Sequence, residues 1–304
     1  MAKLSNKSKR RIYTALIAVL SVTLAVSVGL LIWYGIQSRH SKNLYTDLQS
    51  MVESARPTAT VPQVRPSATE PTEPAAATDP STQPTQPVRT EPPETEPTSP
   101  WVEVTDPETG ETVQILPEYA PVYERNNDLI GWLRIPGSDI NYPVMQTPDN
   151  PDYYLTHDFN REFSFGGCLY AEEGADVFAP SDNVTIYGHR MTDDSMFNQL
   201  LRYREKEYYE QYPYIHFDTL TERHTYEIIF AFKTTSVQGE GIPYHNFVDA
   251  YNEYDFHHFV DSIRSVSIYN NGVKFTYGDK LLTLSTCEYS QENGRFVIIA
   301  RRIS

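Results

Sequence analysis

Cys287 closes the run Thr283-Leu284-Ser285-Thr286-Cys287, and Arg295 follows shortly after it. The run reads as the end of one strand, followed by a loop and a second strand from Phe296 to Ala300. A cysteine at a strand end faces a groove, and the returning strand sets a guanidinium beside it. A thiol works as a nucleophile when it ionises, when a partner moves its proton, and when something holds the oxyanion that forms. Cys287 meets the first need. Arg295 suits the third, because a guanidinium stays charged at any ordinary pH and offers several donors. Arg295 is equally able to hold a substrate backbone. Arg301 and Arg302 lie beyond the second strand and are expected to face solvent.

The proton partner of a cysteine is sought among histidines distant in sequence and near in space. Eight are present. His40 abuts an apolar segment, and at most one of His257 and His258, which are neighbours on a helix, can face the core. His189 ends the strand-like run Thr185-Ile186-Tyr187-Gly188-His189, the same strand-end setting as Cys287. Tyr187, Ser285 and Glu288 stand within two residues of the candidate histidine and cysteine and are candidates to line a groove. A carboxylate or amide that orients His189 is not identifiable. Asp193 and Asp194 are candidates by proximity alone, and a solvated loop is their simpler setting.

Positioning these groups requires a framework of short strands. Such runs fall at 130–135, 140–145, 167–171, 183–187, 225–234, 265–269, 280–285 and 296–300. Pro136-Gly137-Ser138-Asp139 and Asn270-Asn271-Gly272 are turn sequences of the kind that join antiparallel strands. Many short strands with turn signals predict a closed or nearly closed barrel. Helices are predicted over 117–128, 194–209 and 249–264. In the last of these Phe256, Phe259, Val260 and Ile263 recur on one helical face.

The Thr-Leu-x-Thr-Cys run followed by Arg295 closely resembles the active-site signature of the sortases. Tyr187-Gly188-His189, followed by Met191 and Met196-Phe197, resembles their histidine motif. Ser285 at the variable position, Tyr289, and a helix between the penultimate strands resemble the class B branch. The likeness spans roughly Pro117 to the C-terminus. It implies a mainly β fold, a sortase-type closed barrel of about eight strands with an N-terminal helix and a helix inserted between the sixth and seventh strands. It implies a cysteine transpeptidase of the peptidase class, acting in cell-wall anchoring in a Gram-positive-type cell. On that reading Cys287 attacks a threonine carbonyl in a C-terminal sorting signal of an exported protein. His189 protonates the leaving amine, and a peptidoglycan cross-bridge or lipid II amine resolves the thioacyl enzyme. Leu155 joins the candidate substrate wall by similarity, with Tyr187, Ser285 and Glu288. The loop 234–245 is where specificity for the sorting signal is expected. The sorting signal and the amine stay open, as does the choice between wall anchoring and pilus polymerisation.

Composition sets the compartment. Residues 12–36 carry no charge and are dominated by Leu, Val, Ile and Ala, and as a helix they rise about 37 Å, enough for a hydrocarbon core of roughly 30 Å. Lys3, Lys7, Lys9, Arg10 and Arg11 precede them, which predicts a single-pass anchor with a cytoplasmic N-terminus. A cleaved signal peptide is the rival, but its apolar region is usually shorter. The expected organisation is 1–11 cytoplasmic, 12–36 transmembrane, 37–56 juxtamembrane, 57–100 a disordered stalk rich in Pro, Thr and Glu, and 101–304 an extracellular catalytic domain with its core at about 117–304. The stalk holds twelve prolines and no aromatic residue, so it has too little apolar surface to fold and is expected to stay extended.

The net charge of −15 disfavours nucleic acid, since no basic patch is available to neutralise phosphates. With two cysteines, a disulfide between Cys168 and Cys287 is conceivable in an exported protein, but it would silence the nucleophile. A free buried Cys168 is the expectation. No metal or cofactor signature is present. Two alternatives remain: an exported cysteine peptidase that passes its acyl group to water, and a non-catalytic binding protein displayed on a stalk.

Overall fold

The computed structural model describes residues 6–57, 101–237, 239–269 and 271–304. The elements in chain order are α1 (Asn6–Ala55), β1 (Val102–Thr105), β2 (Thr112–Ile115), α2 (Ala120–Tyr123), β3 (Leu129–Arg134), β4 (Asn141–Met145), β5 (Leu169–Ala171), β6 (Asn183–Tyr187), α3 (Lys206–Gln211), β7 (Tyr214–Thr219), β8 (Thr225–Thr235), α4 (Glu253–Val266), β9 (Leu281–Cys287) and β10 (Gly294–Arg302). Strands β3 to β10 close into a barrel in the order β10-β8-β7-β3-β4-β5-β6-β9, while β1 and β2 form a separate hairpin. Two pairs, β4–β5 and β6–β9, are parallel.

Side chains alternate across a strand, and here both faces find partners. On β9 and β10, Leu282, Leu284, Phe296, Ile298 and Ala300 belong to the barrel core. Leu281, Val297 and Ile299 belong to a second core, which α4 completes with Phe256, Phe259, Val260 and Ile263. Each such apolar side chain contributes about 1.5–3 kcal/mol when fully buried. Helix α4 starts where the Asn252 side chain accepts from the Asp255 amide at 3.1 Å, which satisfies one orphan donor of the first turn. It lies between the sixth and seventh barrel strands, as the resemblance implied.

Several elements differ from expectation. The run 265–269 alternates like a strand, yet Ser265 and Val266 complete α4, and the Ile268 amide then makes a single bond to Ala231 O at 2.7 Å. Strand β7 was not expected, although Ile215 and Phe217 alternate inward along it. The helix predicted over 117–128 shrinks to α2. There the Asn126 side chain accepts from the Asp128 amide at 3.0 Å and donates to Tyr154 Oη and Phe159 O, a local competition that ends helices. The helix predicted over 194–209 divides into a 3-10 segment, Phe197–Arg204, and α3.

The helix that caps the barrel is the second half of α1. Leu44, Tyr45, Leu48 and Val52 are buried in the barrel core cluster, whereas the large apolar residues from Tyr13 to Ile36 are exposed. The folded body therefore includes residues that precede the proline-rich stretch, and also the β1–β2 hairpin, where Val104 and Ile115 are buried. The proline-rich residues 58–100, expected as a stalk, lie outside the described residues. On one side of them α1 ends on the barrel body. On the other, Trp101 Nε1 donates to Thr221 O at 3.0 Å.

Candidate active site

Three neighbouring strands bring the candidates together. Arg295 of β10 pairs directly with Cys287 of β9 in the antiparallel register, so their side chains leave the same face with Cβ atoms about 5 Å apart. That is the outer face, shared with Ser285, Val297 and the α4 side of the barrel. In the parallel β6–β9 ladder Tyr187 pairs with Ser285. His189 follows two residues after the end of that ladder. Two bonds hold this end of the ladder, Gly188 N to Ser285 O at 3.2 Å and Thr286 Oγ1 to Gly188 O at 2.8 Å. Gly188 is required for close packing, because a Cβ there would meet Leu169 Cδ2 at 2.5 Å and Phe197 Cδ2 at 2.7 Å.

The imidazole of His189 is oriented by a backbone group. Its Nε2 lies 2.8 Å from the Leu155 carbonyl oxygen. A carbonyl only accepts, so this bond places the proton of a neutral ring on Nε2 and leaves Nδ1 as the acceptor. Leu155 was expected as a substrate wall. Its side chain is partly exposed, and its carbonyl supplies the orienting contact sought near Asp193 and Asp194. Those carboxylates are engaged elsewhere. Asp193 accepts from Ser195 and Ser38 and faces Lys42 at 3.6 Å, and Asp194 accepts from the Asn198 side chain.

The guanidinium of Arg295 donates through Nη1 to Asn293 O at 3.3 Å and Gly294 O at 3.1 Å. These bonds fold its stem along its own loop. Ser285 is buried, and its hydroxyl is joined to Tyr244 Oη at 2.6 Å, so it braces the strand on the same face as Cys287. Burial pushes the Tyr244 phenol up, against the opposing pull of Ser285 and Arg295. Tyr187 donates to the Glu172 carboxylate, and its ring leans on Tyr170 with centroids 5.4 Å apart. Burial first, and that carboxylate second, push its phenol far above the usual range. Tyr244 and Glu172 were not anticipated from sequence. Tyr244 falls within the loop 234–245 singled out for specificity, but nothing marked this residue within it.

Glu288 leaves the groove altogether. It is buried and salt-bridged to Arg204 at 2.6 Å and Lys233 at 3.7 Å, and it accepts the Ser290 amide at 3.0 Å. Burial disfavours its charge, but the Ser290 hydroxyl and amide, Lys233 and Arg204 outweigh that and hold its carboxyl down at about 2. Both cysteines are free thiols. Cys168 is fully enclosed, and burial pushes its thiol up to about 12. His40, Asp158 and Glu162 bring ligand-type atoms together. As they stand, His40 Nε2 lies 3.6 Å from Glu162 and 3.9 Å from Asp158, which joins α1 to the β4–β5 loop.

A closed eight-stranded barrel with a cysteine and an arginine paired across its last two strands defines a class of cysteine transpeptidases. The sortase domain model matches residues 133–303 of this chain. Sortase B of Staphylococcus aureus is 32% identical over 193 residues, covering 62% of this chain and 76% of the relative. Sortase B of Listeria monocytogenes is 30% identical over 197 residues, covering 63% and 76%. Among solved structures, the Staphylococcus aureus sortase B–substrate complex superposes with a TM-score of 0.57 at 31% identity, covering 62% of this chain and 86% of that one. The chain belongs to the sortase family, and within it to the class B branch.

Proposed function

We propose that this chain is a membrane-anchored class B sortase that cleaves a sorting signal of exported proteins after threonine and transfers the acyl group to a cell-wall amine. The observation that carries this is the register placing Arg295 opposite Cys287, with His189 held at the adjoining strand end. A relative of the same fold solved as a substrate complex supports a substrate-binding role for this domain.

On this reading the Cys287 thiol gives its proton to His189 Nδ1, the thiolate attacks the threonine carbonyl carbon, and Arg295 donates to the oxygen as it gains charge. Removing one such oxyanion donor typically costs about 10²–10³ in rate. The C–N bond breaks as His189 gives its proton to the departing amine, leaving a thioester on Cys287. An incoming amine attacks that thioester and loses a proton to His189, and the C–S bond breaks to return the thiolate. The helix α1 is long and apolar enough to cross a membrane over its first part. We assign residues 12–36 to the span and residues 1–11 to the cytoplasm, with the barrel outside.

The test is incubation of the detergent-solubilised full chain with a sorting-signal peptide library and an amine acceptor, with products read by mass. Ligated product that disappears in Cys287→Ala is expected. Hydrolysed product alone would assign the chain to the peptidase alternative, and no product at all would refute the assignment.

A further inference from the structure

The loop between β4 and β5 ends in two exposed phenylalanines, Phe163 (48% exposed) and Phe165 (39%). They are not scattered surface residues. Phe163 stacks on Trp33 with centroids 6.2 Å apart, Phe165 meets Trp33 edge-on at 5.0 Å and Tyr34 at 5.8 Å, and the two phenylalanines touch each other at 5.3 Å. Trp33 and Tyr34 are themselves half exposed, and the surface continues without a break into exposed Leu30, Leu31 and Ile32 of α1. An apolar surface of this extent on a folded protein marks a partner. Here the partner is already indicated, because the same surface is the end of the apolar helix.

The height of the loop along α1 is fixed by polar contacts. Gln37 Nε2 donates to Phe163 O at 2.5 Å, the hydroxyls of Ser41 and Ser164 are 3.3 Å apart, and Tyr45 Oη donates to Gly167 O at 2.7 Å. These contacts run up the helix beyond residue 36 in step with the loop. One helical turn from Trp33 to Gln37 rises about 6 Å. The polar layer on each side of a hydrocarbon core is roughly 5–8 Å thick, so the phenylalanines sit within it, where aromatic side chains collect at the ends of membrane spans.

We propose that Phe163 and Phe165, together with Trp33 and Tyr34, form a bilayer-interface patch that seats the catalytic barrel directly on the membrane. This rests on the assignment of residues 12–36 to a membrane span. The barrel then lies against the lipid surface. The seated loop also runs back to Leu155, whose carbonyl orients His189, so the active site faces a fixed direction relative to the lipid surface.

The test uses the full chain carrying Cys287→Ser, so that the remaining native thiol is the enclosed Cys168. A polarity-sensitive fluorophore is placed by Phe165→Cys, by Tyr34→Cys, or by Tyr251→Cys, the last at a residue 94% exposed. Each protein is reconstituted in phosphatidylcholine–phosphatidylglycerol vesicles containing a lipid quencher at headgroup depth. Quenching at 165 equal to that at 34 within about twofold, with none at 251, is the expected result. Quenching at 34 without quenching at 165 would overturn the seating and leave the span intact. Absence of quenching at 34 would remove the span, and the seating with it. A shift at 165 that rises with protein density and ignores the lipid quencher would assign the patch to a second copy of this chain and overturn the proposal.

Discussion

Replacing Gly167 by alanine tests whether the β4–β5 loop truly aims the histidine. Gly167 has φ of +55°, and a Cβ there would stand 2.3 Å from Tyr154 O and 2.7 Å from Leu155 O. Contacts under 3.0 Å are essentially never seen for real Cβ atoms, so the backbone at Tyr154 must yield by about 0.7 Å and the Leu155 carbonyl by a smaller amount. That carbonyl is the one 2.8 Å from His189 Nε2. A left-handed backbone costs a non-glycine residue about 1 kcal/mol, and the steric shift adds roughly 1–3 kcal/mol. At about 2–4 °C per kcal/mol for a domain of this size, the melting temperature should fall by roughly 4–16 °C. The displaced carbonyl should also lower kcat/KM for peptide ligation by about tenfold or more, since sub-ångström misplacement is costly in catalysis. Gly166→Ala is the control. Its Cβ would meet only Met191, at 3.7–3.9 Å, and it should behave as the unmodified protein. If Gly167→Ala matched Gly166→Ala in both melting and kcat/KM, the argument that this loop positions His189 would be wrong.

Other expectations follow from contacts around the groove. Glu288→Gln should lower stability by about 1–3 kcal/mol, because Arg204 and Lys233 lose a buried counter-charge; denaturant midpoints measure this. The native carboxyl is held at about 2 against an ordinary 4.5. The difference between the two proteins should therefore be complete above pH 4.5 and fade as pH falls toward 2, and a constant difference across that window would contradict the assignment. Tyr244→Phe removes the partner of the buried Ser285 hydroxyl and should cost about 1 kcal/mol in a thermal melt, with no change as the refuting result. A thiol reagent should modify Cys287 in the folded protein and Cys168 only after denaturation, because burial hides Cys168 and raises its thiol to about 12; peptide mapping by mass distinguishes the two.

Much of the candidate site was legible along the chain because its features are local. A strand end followed by a short loop and a returning strand is visible in a few consecutive residues, and so is a glycine before a strand-end histidine. Those settings made Cys287, His189 and Arg295 candidates, and the resemblance to the sortase motifs singled them out. Seven of the eight barrel strands, all but β7, showed themselves as short β-like runs, and α4 showed itself by its spacing of Phe256, Phe259, Val260 and Ile263. The misses have a common cause. The run 265–269 alternates like a strand, but hydrogen bonding and packing carried its start into α4. Glu288 follows Cys287 in sequence, yet strand alternation turns its side chain to the opposite face, toward Arg204 and Lys233.

The sequence by itself determined the chemistry on offer: a thiol, an imidazole and a guanidinium at strand ends, behind one long apolar segment. Tertiary structure alone decided what aims and braces them. The group that orients His189 is a backbone carbonyl, which every residue carries and no side-chain pattern reveals. Ser285 turned from a candidate groove residue into a buried brace only when Tyr244, far along the chain, reached its hydroxyl. The second half of α1 became part of the barrel body because Leu44, Tyr45, Leu48 and Val52 found an apolar surface built from strands much later in the chain. Contacts between residues so far apart are set by the closed sheet, so they cannot be read from spacing.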